Sequence, residues 1–191
     1  SSIKPCWKTY PKKYRLDLAQ EILRDIGTDK VVIKPRMSTK GYGVLIVSAE
    51  DLDGVLKQLF HKKGTSLQNK EEEFLYWSQD KSSTFIVESF HEGDPVNVPQ
   101  FGGARYDPTM RVVFFLIYDD EKVEVAFIEG HWKLPKNSLD GEGSLTSKHK
   151  SYGEVPHFLE VDPKILDQVY AILREKLTLF YKKSLGIDLH E

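Results

Sequence analysis

The chain has 191 residues, which suits one domain, and its 40% hydrophobic and 12% aromatic residues are typical of a globular protein with a packed core. A formal net charge of -2 gives no overall attraction to nucleic acid or to an anionic membrane surface, and no apolar run approaches the ~20 residues that span a bilayer. The single cysteine, Cys6, excludes an internal disulfide and suits a reducing compartment. We therefore expect a cytoplasmic protein whose partners are neither nucleic acid nor membrane.

The first half of the sequence predicts a helix, two strands joined by a turn, and a second helix. Apolar residues recur every four positions up to Gly27, where the first helix should end. A capping-box pattern begins the second helix, and the polar stretch after it predicts a loop. The predicted ranges are 14–26 for the first helix, 31–33 and 44–47 for the strands, 52–59 for the second helix and 61–70 for the loop.

The second half predicts antiparallel strands, one long loop and a last helix. Its strands are expected at 85–90, 96–101, 110–118 and 122–128, and its loop at 130–153. Pro163 can occupy the first turn of the last helix, which carries an apolar stripe. Together the elements predict an α+β architecture of antiparallel sheets with helices on one side of each.

Three predicted strands each carry a charged side chain in phase with their apolar residues. These are Lys34, Glu88 and Arg111. An unpaired buried charge is prohibitive, so such groups pair with each other, reach a strand end or face a cleft. Two cations and a carboxylate in one cleft would suit a phosphate-bearing ligand. The alternative is that Lys34 and Arg111 are strand-end residues in contact with solvent, and the pattern alone leaves both interpretations open.

The turn after Lys34 favours the ligand interpretation. Gly41 lets the backbone approach phosphate oxygens closely, while Ser38 and Lys40 add hydrogen-bond donors. The turn is not a Walker A loop, because the spacing differs and a strand rather than a helix follows.

The order of these motifs resembles the ATP-grasp family, including its SAICAR-synthetase-like members, in which two α+β lobes hold ATP between them. Four segments carry the resemblance: VVIKP at 31–35, the glycine turn within 38–47, FIVESFHEGD at 85–94 and LGID at 185–188. The resemblance implies one two-lobed domain over 1–191, made of antiparallel sheets with packed helices. Its lobes would cover about 14–83 and 84–191.

The resemblance also implies a binding site for an adenine nucleotide, either ATP or ADP. The implied contacts are Lys34, Ser38, Lys40, Gly41, Arg111 and Lys133 for the phosphates, Glu88 with Ser89, Phe90 and His91 for the adenine, and Asp94 for the ribose. The remaining lysines of the long loop, at 136, 148 and 150, are interpreted as solvated rather than as an anion-recruiting lid. No catalytic residue is identified.

Magnesium is the second cofactor that the resemblance implies, and here the sequence departs from the family. The family places its magnesium-binding carboxylates after the LGID segment, where this sequence ends. The acids of EVDP at 160–163 precede the last helix and are interpreted as its start. Glu129 is the remaining candidate ligand, since it follows Val125 and Phe127 in phase. The scattered histidines have no zinc-ligand spacing.

Function is therefore predicted as adenine-nucleotide binding, with ATP-dependent ligation or phosphoryl transfer if a longer polypeptide supplies further domains. One alternative is a noncatalytic nucleotide sensor or interaction module of a larger bacterial protein, including an effector secreted into a host cytosol. The other is a plain protein-interaction domain whose inward charges are structural. We expect the chain to bind nucleotide yet turn it over negligibly.

Overall fold

The computed structural model describes residues 6–37, 41–60, 72–120, 122–151 and 157–186. Over these ranges the chain forms five α-helices and three antiparallel sheets, so the predicted mixed α+β class is confirmed. Across the same ranges, no helix combines the length and the apolar composition needed to cross a bilayer. The chain divides into two compact units. The first is Ser1–Gly93 with Asn137–Lys150, and the second is Asp94–Lys136 with Ser151–Glu191.

The first unit is built on a four-stranded antiparallel sheet. Its elements are β1 (Trp7–Pro11), α1 (Leu18–Ile26), β2 (Lys30–Pro35), β3 (Leu45–Ser48), α2 (Leu52–Phe60), α3 (Glu72–Gln79), β4 (Thr84–Ser89) and α4 (Leu145–His149). The strand order is β1-β4-β2-β3. As predicted, α1 ends at Gly27, which adopts the left-handed conformation at φ 75°.

Side-chain alternation decides which face of this sheet is buried. Val31 and Ile33 of β2 and Phe85 and Val87 of β4 are fully buried in one core with residues of α1, α2 and α3. The residues between them point to the other face and are half-buried. The sheet therefore has one sealed face and one face that solvent partly reaches.

The second unit contains two further sheets and the longest helix. Its elements are β5 (Val96–Val98), β6 (Ala104–Tyr106), β7 (Thr109–Tyr118), β8 (Val123–Lys133), β9 (Phe158–Glu160) and α5 (Pro163–Leu185). β5 pairs with β6, and the larger sheet has the order β7-β8-β9. α5 covers one face of that larger sheet, where Tyr170 stacks on Phe127 with ring centroids 4.4 Å apart.

Several predicted boundaries differ from the structure. A lobe boundary near 83 would separate β4 from β1 and β2, yet β4 lies between those strands and the first unit extends to Gly93. The predicted loop over 130–153 includes the end of β8 and the whole of α4. The strand predicted at 96–101 ends at Val98, because Pro99 lacks the amide that a ladder needs and begins a 3-10 turn.

Candidate functional site

Lys34 and Glu88 lie beside each other on the half-exposed face of the first sheet. Glu88 is opposite Val32 and Lys34 is opposite Ile86, so the two charged residues are diagonal neighbours on adjacent strands. The Lys34 ammonium donates a hydrogen bond to the Glu88 carboxylate. Their side chains retain 31% and 24% of their exposure, so the pair is accessible from solvent.

The face that carries this pair is not the face that packs into the core. The sequence left open whether such charges pair with each other, reach a strand end or face a cleft, and the structure pairs Lys34 with Glu88. Val31 and Ile33 occupy the buried face, while Val32 shares the half-exposed face with the charged pair. Partial hydration keeps the cost of holding these charges moderate. A half-exposed pair can also exchange its internal partner for a ligand.

The glycine turn after β2 is fixed to α3 of the same unit. Gly43 has φ 71°, and a Cβ built there would lie 2.6 Å from Cγ of Pro35. Its carbonyl accepts a hydrogen bond of 2.7 Å from the indole of Trp77. Tyr42 stacks on Tyr76 with ring centroids 4.5 Å apart. The turn therefore has a defined place at the end of β2.

The other predicted residues of the turn are only partly described. Gly41 has φ 76°, and a Cβ there would lie 3.5 Å from Cε of Lys150. Ser38 and Lys40 lie outside the described residues.

The segment that follows Glu88 is held by backbone hydrogen bonds. The Ser89 amide donates to the Cys6 carbonyl at 2.8 Å, and the Phe90 amide donates to the Lys30 carbonyl at 3.3 Å. The Ser89 side chain is buried, with Oγ 2.9 Å from Nε2 of His91. The amides of Ser89 and Phe90 are therefore already occupied by carbonyl partners within the first unit.

A second cluster of predicted residues lies on one face of the β7-β8-β9 sheet, opposite to α5. Arg111 is paired with His131, and the predicted residues Glu129 and Lys133 lie two positions to either side of His131 on β8. Nδ1 of His131 is 3.8 Å from Oε1 of Glu129. Arg111 is exposed. Lys133, which was expected to follow a strand, is the last residue of β8.

Lys133 lies in an electrostatically unfavourable position. Burial lowers the pKa of its ammonium, and the nearby charge of Arg111 lowers that pKa further. Nζ also lies 5.8 Å from the ring centroid of Phe158. Two cations held this close repel each other, and a bound anion would offset that repulsion.

Glu129 reaches this face through a β-bulge that the sequence analysis missed. Val113 is opposite Glu129 while Phe114 is opposite Phe127, which leaves Ile128 as an extra residue in β8. The bulge reverses the alternation, so Glu129 points away from the face that Phe127 shares with α5. The predicted phase was therefore wrong.

Magnesium binding was predicted at Glu129, and the described residues do not form a fitting ligand set. Mg²⁺ needs near-octahedral oxygen ligation, usually anchored by one or two carboxylates. Glu129 is 62% exposed, and its ion-pair partner is His131. Over the described ranges, no group of three or more His, Cys, Asp or Glu residues could hold a metal ion. We therefore derive no metal-dependent step.

One segment that the sequence analysis did not assign to a site lies against the first sheet. Thr146 of α4 is buried and its hydroxyl accepts a hydrogen bond of 2.9 Å from the Ile46 amide. The His149 ring lies edge-on to Phe90, with centroids 4.9 Å apart. The basic composition of this segment was visible in the sequence, but its position on the sheet was not.

The predicted residues thus form two groups. Lys34, Gly41 and the residues from Glu88 to His91 belong to the first unit, while Asp94, Arg111, Glu129 and Lys133 belong to the second. A scan against models of known protein families found no match, and a search of curated proteins found none with significant similarity. Function therefore has to be inferred from the side chains themselves.

Proposed function

We propose that this chain binds an adenine nucleotide, ATP or ADP, in the manner that its resemblance to the ATP-grasp family implies. The observation that carries the proposal is the placement of Lys34 beside Glu88, on one half-exposed face and at the start of the glycine turn. Such a ligand needs a cation to bind its phosphates and a hydrogen-bond acceptor for its adenine amino group, and Lys34 and Glu88 can supply them.

The state of the pair supports ligand exchange. In the structure Lys34 and Glu88 neutralise each other. An arriving phosphate would take over the Lys34 ammonium, and the freed Glu88 carboxylate would accept hydrogen bonds from the adenine amino group. The exchange replaces one charge-assisted bond of Lys34 with another, to phosphate, and adds the hydrogen bond from the amino group to Glu88.

The second unit offers separate support for phosphate chemistry. Arg111 and Lys133 share one sheet face, and the pKa of Lys133 is lowered by burial first and then by the nearby charge of Arg111. We propose both residues as candidate anion contacts of the second unit in their own right. If a longer polypeptide catalyses ligation or phosphoryl transfer, Lys34 would stabilise charge that develops on the phosphate.

Substitution of Lys34 tests the proposal. Lys34→Ala should weaken ATP and ADP binding by about 10- to 150-fold, since a hydrogen bond to a charged group contributes about 1.5–3 kcal/mol. Adenosine binding should stay within about twofold. Lys57→Ala, at an exposed lysine of α2, is the control and should bind all three ligands as the wild type does. Calorimetric titration of each variant measures this, and an equal loss for adenosine would contradict the phosphate role of Lys34.

A further inference from the structure

We propose that residues 144–150, here called the α4 segment, supply a second contact surface for the nucleotide, with His149 against the base and Lys150 at the phosphates. This inference rests on the proposed function and adds two residues to the same site. It replaces the interpretation of the loop lysines as uniformly solvated.

The α4 segment has a fixed attachment to the sheet. β3 is an edge strand, and its Ile46 amide donates a hydrogen bond to the hydroxyl of Thr146. Thr146 is only 5% exposed. Ile46 is opposite Val32, which is in turn opposite Glu88. The attachment point therefore lies in the same cross-strand row as the acidic member of the charged pair.

His149 belongs to the side of the site where the base would bind. Its ring lies edge-on to Phe90 at 4.9 Å, with an interplanar angle of 72°. Phe90 follows Glu88 by two residues and so continues the same face of the chain. Planar bases stack on aromatic side chains of any type, because every base has a π-face. A flat heteroaromatic ligand beside Glu88 would meet the Phe90 and His149 rings.

Lys150 lies at the other end of the site, against the glycine turn. Its Cε is 3.5 Å from the position that a Cβ on Gly41 would occupy. Gly43 of the same turn lies against Pro35, the residue after Lys34, so Lys150 and Lys34 both adjoin this turn. Lys148 of the same segment lies elsewhere, since its Nζ donates to the Leu139 carbonyl at 3.2 Å within its own stretch of chain.

Titration of the full chain with ATP, ADP and adenosine tests the inference. Lys150→Ala should weaken ATP and ADP roughly tenfold or more and leave adenosine within about twofold, since only the phosphates lose a contact. His149→Ala should weaken all three by a similar factor, about tenfold, because base stacking is lost. Lys148→Ala is the matched control and should change none of the three.

The outcomes separate this inference from the proposed function. If the wild type binds ATP but Lys150→Ala and His149→Ala bind all three ligands normally, the inference is wrong and the proposed function stands. If the wild type binds no nucleotide, the proposed function is wrong and the inference that rests on it is wrong as well. Should His149→Ala not fold, His149→Phe keeps a ring at this position and should retain adenosine affinity. Loss of adenosine affinity in folded His149→Phe or in Lys150→Ala would overturn the assigned contacts.

Discussion

Gly43 and Gly41 show, at the scale of single residues, how one turn imposes two different constraints. Both have positive φ, at 71° and 76°. A Cβ at Gly43 would also lie 2.6 Å from Cγ of Pro35 and 3.1 Å from Cβ of Tyr76, whereas a Cβ at Gly41 meets nothing closer than 3.5 Å. Gly43 is therefore required by conformation and by space, and Gly41 by conformation alone.

We predict that Gly43→Ala destabilises the chain more than Gly41→Ala does. The left-handed conformation should cost each alanine about 1–2 kcal/mol. Overpacking against Pro35 should add about 1–3 kcal/mol at Gly43. Urea unfolding of both variants measures the difference, and equal losses of unfolding free energy would show that the turn can move away from Pro35.

Substitution of Lys133, unlike that of the glycines, is predicted to stabilise the chain. Since its pKa is lowered in the folded state by burial and by Arg111, holding it charged opposes folding. That penalty is fully present below the lowered pKa and disappears as pH rises toward the ordinary lysine value of 10.5. Lys133→Met should therefore melt at a higher temperature than the wild type at pH 7, and its advantage should shrink at alkaline pH.

Thermal melts of Lys133→Met and wild type across pH 7 to 10.5 check this. Lys183→Met, at an exposed lysine of α5, is the control and should show no such trend. A lower melting temperature for Lys133→Met at pH 7 would mean that the contact between Lys133 and Phe158 outweighs the repulsion.

Sequence reasoning reached some of these residues and missed others for physical reasons. Alternation along β2 and β4 correctly put Lys34 on the same face as Val32 and Glu88 on the same face as Ile86. It could not show which face of the sheet the helices would cover. Glu129 was placed in the wrong phase, because a bulge depends on pairing with β7 rather than on local sequence. Lys150 could not be placed at all, since its neighbour Gly41 is far away along the chain.

At the scale of elements, a buried ion pair joins the end of β1 to the end of α3. Nζ of Lys12 lies 2.7 Å from Oδ2 of Asp80, and their side chains are only 11% and 4% exposed. Burial alone would raise the pKa of Asp80, but hydrogen bonds from Lys12 and Ser82 outweigh it and hold the pKa below its usual value of 3.8. The pair therefore contributes to stability above that pH and stops contributing as pH falls through the lowered pKa.

Asp80→Asn should lower the free energy of unfolding at pH 7 by about 3–5 kcal/mol, since it leaves the buried Lys12 charge without its carboxylate. The difference from wild type should begin to narrow as pH falls below 3.8 and should go on narrowing through the lowered pKa, where the folded wild-type carboxyl also becomes neutral. Urea unfolding at pH 7 and pH 3 checks both parts. Glu124→Gln breaks an exposed pair with Lys122 and should leave the unfolding midpoint unchanged. A pH-independent loss in Asp80→Asn would contradict the charge-based explanation.

Elements with strong local signals were predicted well. The end of α1, the β2-β3 pair, the β7-β8 hairpin and the start of α5 at Pro163 follow from periodicity, turns and caps within their own stretches, whereas the start of α1 was predicted four residues before Leu18. β1 and β9 were not predicted, because short strands of this kind are defined by their partners β4 and β8. α4 is a five-residue helix whose position depends on its bond to β3.

At the scale of the whole molecule, the chain path crosses the division between the two units more than once. Residues 137–150 belong to the first unit although the residues on either side belong to the second. Sequence order alone predicts two successive lobes, and it cannot reveal that the chain comes back to the first unit at 137–150. The net charge of -2 likewise says nothing of a local site, because Lys34 lies on a face of one sheet while Arg111 and Lys133 share a face of another.

Calorimetric titration of the wild-type chain with ADP, ATP and GTP tests the central claim most directly. We expect saturable binding of ADP and ATP at one site per chain, with a matching rise in melting temperature, because a ligand of the folded state stabilises it by RT ln(1 + [L]/Kd). GTP should bind at least tenfold more weakly, since guanine places a carbonyl where adenine offers its amino group to Glu88. No binding heat and an unchanged melting temperature at millimolar ADP and ATP would contradict the account.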